Sequence, residues 1–219
     1  MSHDADALPP HYKLAHHFPD AKTQSHAALF GMWLFLATEV LIFAGLFCSY
    51  AIYRYMYEDA WTEGSRAMHT YLGAANTVVL ITSSLFVALA HHYASIAKNK
   101  AVFWLIVASI FCGFIFMGIK AVEYYEHWHL GELPGKYFTS TNPALQKPGM
   151  PIFYAVYFLA TGLHALHVII GMSMLTWASI PAWKGHYGPG NITLVENAGL
   201  LWHLVDLVWI FLFPLLYLV

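Results

Sequence analysis

The stretch WLFLATEVLIFAGLFCSY, from Trp33 to Tyr50, decides the fold of this chain, and it holds a single acid, Glu39, within an otherwise apolar run. A hydrocarbon core of roughly 30 Å is crossed by about 20 helical residues, so this stretch and its neighbours form a membrane-spanning helix. An ionised side chain at the centre of such a helix costs about 2.5 to 3.5 kcal/mol on insertion scales. Glu39 therefore needs a physical reason for its position.

Composition extends this interpretation to the whole chain. Of its 219 residues, 59% are hydrophobic and only 10% are charged. Five continuous apolar runs, without the period-two alternation of a transmembrane barrel, predict an all-α polytopic bundle of five transmembrane helices. The predicted spans are 27–53, 70–94, 101–125, 152–180 and 194–219, and together they form one domain, 27–219, after a polar segment, 1–26.

The polar ends and linkers predict how the chain is inserted. Segment 1–26 is rich in histidine and lacks the features of a signal peptide, so the first helix acts as its own insertion signal. Lys98 and Lys100 lie in a linker without acids, which favours a cytoplasmic N-terminus. The formal net charge of -2 and the lack of a basic cluster exclude nucleic acid as a partner.

Glu39 lies near the middle of its span, where we expect a carboxyl group to be protonated or hydrogen-bonded. One interpretation is a proton-linked or lipid-facing carboxyl group with a function. The other is a buried acid that bonds a neighbouring helix and only holds the bundle together. The position of Glu39 alone leaves both interpretations open.

Further polar residues occur inside the last two spans. In TGLHALHVIIG, His164 and His167 are three residues apart, and in ENAGLLWHLVDLVW the residues Glu196, His203 and Asp206 are seven and three apart. These spacings put each set on one helical face. A histidine over an aspartate can form a hydrogen-bonded pair, which lowers the cost of burying both. We predict a polar seam along the two helices.

Three interpretations of this seam compete: ligation of haem or a metal, a path for protons or substrate, and hydrogen bonding between helices and to lipid head groups. His91 and His92 add to the histidines available for haem ligation. No pattern fixes two histidines at one depth on facing helices. The hydrogen-bonded seam is therefore the favoured interpretation.

Two other stretches predict structural roles. In KAVEYYEHWH, Glu123 and His127 have a spacing usable for a metal, but they lie where the third span leaves the bilayer, and we expect solvated charges within an interfacial aromatic belt. The small and hydroxyl-bearing residues of NTVVLITSS, 76–84, are expected to pack and bond between helices. The chain has no recognisable catalytic motif.

These residues carry a resemblance to a known family, subunit III of the haem-copper oxidases (cytochrome c oxidase subunit III). GMWLFLATEVLIFAGLF resembles the family's glutamate-bearing helix, NTVVLITSS the next helix, and GIKAVEYYEHW the third. YFLATGLHALHVIIG and LWHLVDLVWIFLFPLLY resemble its last two helices. The resemblance covers nearly the whole chain and is specific, because five segments match in order.

The resemblance implies a subunit of the bacterial plasma membrane without haem, copper or catalytic residues of its own. It implies docking on catalytic subunit I, which holds the haem and copper, and contact with other oxidase subunits and phospholipids. It also implies support of proton uptake during oxygen reduction. The residues implicated in lipid or proton-linked roles are Glu39, His164, His167, Lys184, His186, Glu196, His203 and Asp206.

One departure and three alternatives accompany the resemblance. Longer family members have seven helices, and this chain lacks the first two, which form one arm of the lipid cleft. The alternatives are an accessory subunit of a nitric oxide reductase, a haem-bearing membrane anchor, and a proton-coupled transporter built around Glu39. For an oxidase, the electron donor is either cytochrome c or a quinol.

Overall fold

The computed structural model describes residues 14–219, so the predicted segment 1–26 lies partly outside the described residues. Five helices are long and apolar enough to cross a membrane, which confirms the predicted all-α bundle. A sixth helix is short. The helices are α1 (Ala21–Met56), α2 (Glu58–Ala67), α3 (Thr70–Ser95), α4 (Asn99–His129), α5 (Met150–Trp183) and α6 (Thr193–Tyr217).

The helices extend beyond several of the predicted spans because hydropathy marks only the apolar part of a helix. The first helix begins at Ala21, six residues before the predicted start of the span. Asp20 caps it: the carboxylate accepts a hydrogen bond of 2.6 Å from the backbone N–H of Thr23. This bond satisfies one of the amide groups that have no partner within the first helical turn.

Helix α2 was not predicted, because its sequence EDAWTEGSRA is short and mostly polar. Its Trp61 is fully buried, and the indole ring lies 5.4 Å from the Phe153 ring and 6.0 Å from the Tyr50 ring, measured between centroids. Gly64 allows this contact, since a Cβ atom there would lie 2.6 Å from the Phe153 ring. The connection between α1 and α3 therefore folds against α5.

Four helices form a closed ring in which α3 packs on α4, α4 on α5, α5 on α6, and α6 on α3. Helix α1 lies outside this ring against α5 and α6. The start of α1 is joined to the start of α6 by a hydrogen bond of 2.9 Å between the hydroxyls of Ser25 and Thr193. Helix α1 is consequently the most exposed of the five spans, with 17% of its apolar window buried.

The hydroxyl-bearing residues of α3 bond across helices, as their sequence predicts. The Trp202 indole donates to the Ser83 hydroxyl at 3.0 Å, and the Trp209 indole donates to the Thr77 hydroxyl at 3.1 Å. The Ser109 hydroxyl donates to the Ser83 carbonyl at 2.8 Å. These bonds fix α3 to α4 and α6, and the structural role of the NTVVLITSS stretch is confirmed.

Candidate functional site

Glu39 and His167 meet where α1 packs on α5. Atom Nε2 of His167 lies 2.7 Å from Oε2 of Glu39, and Nδ1 of the same ring lies 2.7 Å from the carbonyl oxygen of Leu163, one turn earlier. Both residues are buried, and the Phe43 ring lies 5.1 Å from the imidazole ring. The sequence does not predict this pairing, because 128 residues separate its partners.

The two contacts of His167 determine how protons are shared. A carbonyl oxygen can only accept, so Nδ1 carries a hydrogen. A neutral imidazole then accepts through Nε2, and the Glu39 carboxyl must be protonated to donate. If Nε2 also carries a hydrogen, Glu39 is a carboxylate facing an imidazolium. Both arrangements are neutral overall and differ only in the position of one proton, which lowers the cost of burial in a membrane.

His164 and His167 contact different neighbours of α5, so the predicted hydrogen-bonded seam does not include His164. Residues three apart on a helix differ in direction by about 60°, and α5 has different neighbours on its two sides. His164 is fully buried, with its ring 5.4 Å from the Phe116 ring and 5.2 Å from the Trp209 ring. Among residues 14–219, neither of its ring nitrogens has a hydrogen-bond partner. His164 therefore belongs to the core of the ring of helices.

On α6 the predicted bond between His203 and Asp206 is not formed either. His203 instead uses Nδ1 to bond the hydroxyl of Ser84 on α3 at 2.6 Å. Asp206 is 4% exposed and lines a groove between α3 and α6 together with Ser84 and His203. Neither of its carboxyl oxygens has a hydrogen-bond partner in the described part of the chain. Because α3 offers a hydroxyl at the same depth, the histidine bonds across the helix contact rather than along its own helix.

Glu196 is half-buried in the first turn of α6, two turns before His203. An acid in the first turn is favoured by the partial positive charge of a helix N-terminus. This position at the end of the helix separates Glu196 from the polar residues near the middle of the bundle. The structure therefore does not join Glu196 to His203 and Asp206 in one site.

Lys184 and His186 lie beyond the membrane-spanning part of α5. Lys184 is exposed at the helix end and lines an open pocket of about 620 Å³ together with Lys98 and Lys100, while His186 is half-buried in the following turn. Two linkers distant in sequence thus bring three lysines to one end of the bundle. An indole ring, that of Trp183, lines the same pocket. Ammonium groups beside an aromatic ring at a membrane boundary are suited to bind lipid phosphate.

The expectation of solvated charges at the end of α4 is wrong. Glu123 is fully buried and Lys120 is 3% exposed. The Lys120 ammonium group donates three hydrogen bonds, each of 2.9 Å, to the Glu123 carboxylate and to the hydroxyls of Tyr157 and Tyr217. Tyr217 in turn donates to the other Glu123 oxygen at 2.6 Å. This Lys120 cluster joins α4, α5 and α6, and it uses every N–H of the ammonium group.

His127 is also buried rather than solvated, because the loop after α4 folds back over it. Its Nδ1 lies 2.7 Å from the Glu132 carboxylate, to which the Tyr154 hydroxyl donates at 2.8 Å. Only the outward-facing rings of this segment, Tyr125 and Trp128, are exposed as an interfacial belt requires. Glu123 and His127 therefore belong to separate clusters, and among residues 14–219 no three His, Cys, Asp or Glu side chains lie close enough to bind a metal.

The Lys120 cluster is the polar feature that the sequence analysis missed. A lysine inside an apolar span, one turn before a glutamate, is the signal that would have found it, since buried charges require a partner. The tyrosine partners carry no comparable signal, because Tyr157 and Tyr217 come from other helices. Tyr217 also lies at the C-terminal end of α6, where a tyrosine is ordinarily interfacial.

An apolar groove of about 710 Å³ lies between α1 and α6 on the membrane-facing surface. Its walls include Trp33, Leu41 and Leu204, and His203 is its polar member. His203 thus lines this groove and also the groove between α3 and α6. The shape and composition of the larger groove suit an acyl chain.

Comparisons with known proteins agree with this architecture. A family model described as cytochrome c oxidase subunit III matches residues 15–219. Proteins named cytochrome c oxidase subunit 3 from Thermostichus vulcanus and from Synechocystis are 32% and 34% identical, over 93% and 87% of this chain and 90% and 75% of their own lengths. A protein of Aeropyrum pernix named heme-copper oxidase subunit I+III is 30% identical over 98% of this chain and 25% of its own.

Proposed function

The chain belongs to the cytochrome c oxidase subunit III family, and from this membership we propose that it is a non-catalytic subunit of a haem-copper terminal oxidase. In this role it stabilises the catalytic subunit and supports proton uptake during oxygen reduction. Haem and copper belong to the partner subunit. The oxidase names of the relatives favour this function over an accessory role in a nitric oxide reductase.

The Glu39–His167 pair carries the proposal. The Glu39 carboxyl group bonds the imidazole ring, and the ring also bonds the backbone of α5, so the pair holds α1 against α5 rather than facing a substrate. The pair is neutral yet contains a proton that can shift over a short hydrogen bond. A subunit built in this way acts by maintaining the structure and the proton balance around the catalytic subunit. A transporter would instead require a continuous polar path, and within residues 14–219 no hydrogen bond joins His164 or Asp206 to the Lys120 cluster.

The fused relative supports docking on subunit I. In the Aeropyrum pernix protein, a region similar to nearly all of this chain occupies a quarter of a longer polypeptide named subunit I+III. A covalent link keeps two subunits side by side, since it raises their effective concentration. We propose that this chain also lies beside subunit I, with the contact formed between separate polypeptides.

Phospholipid is a further proposed partner. The groove between α1 and α6 provides an apolar surface for acyl chains. Lys98, Lys100 and Lys184 provide ammonium groups for phosphate at the end of the bundle where α6 begins. The same three lysines favour a cytoplasmic N-terminus in a bacterial plasma membrane, because positive charge is enriched on the cytoplasmic side.

The experiment is purification of an affinity-tagged chain from native membranes in mild detergent. We expect the catalytic subunit to copurify at equal stoichiometry, with haem absorption and oxygen-reducing activity in the same fractions. As a control, the tagged chain is expressed in a strain without the catalytic subunit. A tagged chain that is recovered folded but without a haem-copper oxidase subunit contradicts the proposal, and copurification of a nitric oxide reductase supports the alternative.

A further inference from the structure

The groove between α3 and α6 contains a buried carboxyl group, that of Asp206, whose hydrogen bonds the described residues do not complete. Asp206 is only 4% exposed, and within residues 14–219 neither of its carboxyl oxygens has a hydrogen-bond partner of good geometry. Ser84 lies in the same groove, but its hydroxyl bonds His203. A polar group left unpaired in an apolar environment destabilises the protein. A partner from outside the chain would remove this cost.

The depth of the groove restricts what that partner is. Asp206 is the 14th of the 25 residues of α6, and Ser84 is the 15th of the 26 residues of α3. Asp206 thus lies about 20 Å along the axis from the start of α6, at about 1.5 Å per residue. This is near the middle of the membrane, well away from lipid head groups. Acyl chains reach this depth but have no hydrogen-bonding groups.

The walls of the groove suit a protein helix. The groove has a volume of about 360 Å³ and is open to the membrane. Leu85 and Ile210 are exposed on its two sides, and Ala88 is a small residue that permits close approach of a second backbone. The carboxyl group of Asp206 lies beneath the exposed side chains of Leu85 and Ile210. Exposed side chains change rotamer within nanoseconds. A neighbouring helix could therefore reach the carboxyl group without any movement of α3 or α6.

We propose that a transmembrane helix of the catalytic subunit lies in the groove between α3 and α6 and presents a hydrogen-bonding side chain to Asp206. The inference rests on the proposed function, and the fused relative identifies subunit I as the neighbour. His203, held by Ser84, forms the side of the groove toward α1 and offers its other ring nitrogen to the same helix. The surface for subunit I is thus centred on α6.

The experiment is site-specific photocrosslinking in the intact oxidase complex in membranes. Benzoylphenylalanine replaces Leu85 or Ile210 in the groove, and it replaces Phe114 as the control. Phe114 lies at a similar depth on the outer face of α4 and is 63% exposed. We expect adducts with the catalytic subunit from both groove positions and none from Phe114.

Each other outcome decides against the inference. Adducts with phospholipid alone, with a second copy of this chain, or with the catalytic subunit from Phe114 only would overturn it, as would no adduct from the groove. None of these results contradicts the proposed function if the chain still copurifies with the catalytic subunit. If the unsubstituted chain does not copurify with the catalytic subunit, the proposed function itself is contradicted.

Substitution of Asp206 tests the hydrogen bond itself. Asp206→Leu removes the bonding group and leaves the partner side chain unpaired, so we expect about a 3- to 15-fold weaker retention of this subunit in detergent. Asp206→Asn keeps the hydrogen bond and should retain the subunit. The matched control is Thr82→Val, because the Thr82 hydroxyl is exposed at a similar depth and donates to the Val78 carbonyl of its own helix. Equal retention of Asp206→Leu and Thr82→Val would contradict the bond.

Discussion

Glu39 and His167 bond each other at 2.7 Å, and each stands at the midpoint of its own helix. Glu39 is the 19th of the 36 residues of α1, and His167 is the 18th of the 34 residues of α5. The pair therefore joins the most exposed helix to the ring of four at the depth where unpaired polar groups are most costly. This one contact is compatible with both interpretations of Glu39: it is a bond between helices, and it holds a proton shared by a carboxyl group and an imidazole ring.

The protonation of Glu39 is testable by chemical labelling. A hydrophobic carbodiimide reacts with protonated carboxyl groups that it can reach from the membrane. We expect Glu39 to be labelled in preference to Glu58 and Glu63, since Glu39 lies inside the membrane-spanning part of α1, where a hydrophobic reagent concentrates. The measurement is mass spectrometry of digested protein near neutral pH, with Glu39→Gln as the control. Labelling of Glu58 and Glu63 without Glu39 would indicate the imidazolium–carboxylate arrangement.

The Lys120 cluster predicts a large loss of stability when one charge is removed. Lys120→Met leaves Glu123 buried without its counter-charge, and breaking a buried pair in this way costs about 3 to 5 kcal/mol. The double variant Lys120→Met with Glu123→Leu removes both charges, so we expect it to recover part of this loss. Thermal unfolding followed by circular dichroism gives the comparison. A single variant as stable as the unsubstituted protein would show that the pair contributes nothing.

Glycine positions test the close packing of α5 on α6. A Cβ atom at Gly171 would lie 2.8 Å from the indole ring of Trp202, which is fully buried. Gly171→Ala should therefore destabilise the bundle by about 1 to 3 kcal/mol through overpacking. The control is Gly118→Ala on α4, where no atom lies within 4 Å of the new methyl group. Thermal unfolding of the two variants should differ clearly, and equal midpoints would contradict the packing described here.

Spectroscopy of the isolated chain tests the proposal that it has no redox centre. We expect no Soret absorption from the chain purified without its partner. The control is the intact complex, whose haem bands come from the catalytic subunit. A stoichiometric haem in the isolated chain, lost in His164→Ala or His203→Ala, would support the haem-bearing anchor.

The fold follows from the sequence because membrane helices are specified locally. A run of about 20 apolar residues must be helical in a bilayer, whatever its neighbours are. The five spans were therefore predictable, while their ends were not: the start of α1 depends on the cap at Asp20. Helix α2 was not predicted, because its formation depends on the burial of Trp61 against Phe153 of α5.

The partners of the polar side chains depend on tertiary packing, which periodicity does not encode. Spacing along α6 predicted a bond between His203 and Asp206, but it contains no information about Ser84 on α3. Likewise, the polarity of Glu123 suggested exposure, although a lysine one turn earlier provides its counter-charge. Sequence thus indicated which residues are unusual more reliably than it indicated which of them meet.

The central claim is that this subunit maintains the catalytic subunit during turnover and takes no part in electron transfer. The most direct measurement is a long oxygen-consumption trace on the intact complex, on a complex depleted of this chain, and on a Glu39→Ala complex. We predict similar initial rates for all three, with unchanged haem spectra. The depleted complex should then lose activity progressively, and faster at high pH, where proton supply is limiting. Glu39→Ala should shorten the active lifetime in the same direction. Immediate loss of all activity on depletion, or identical lifetimes with and without the chain, would contradict the account.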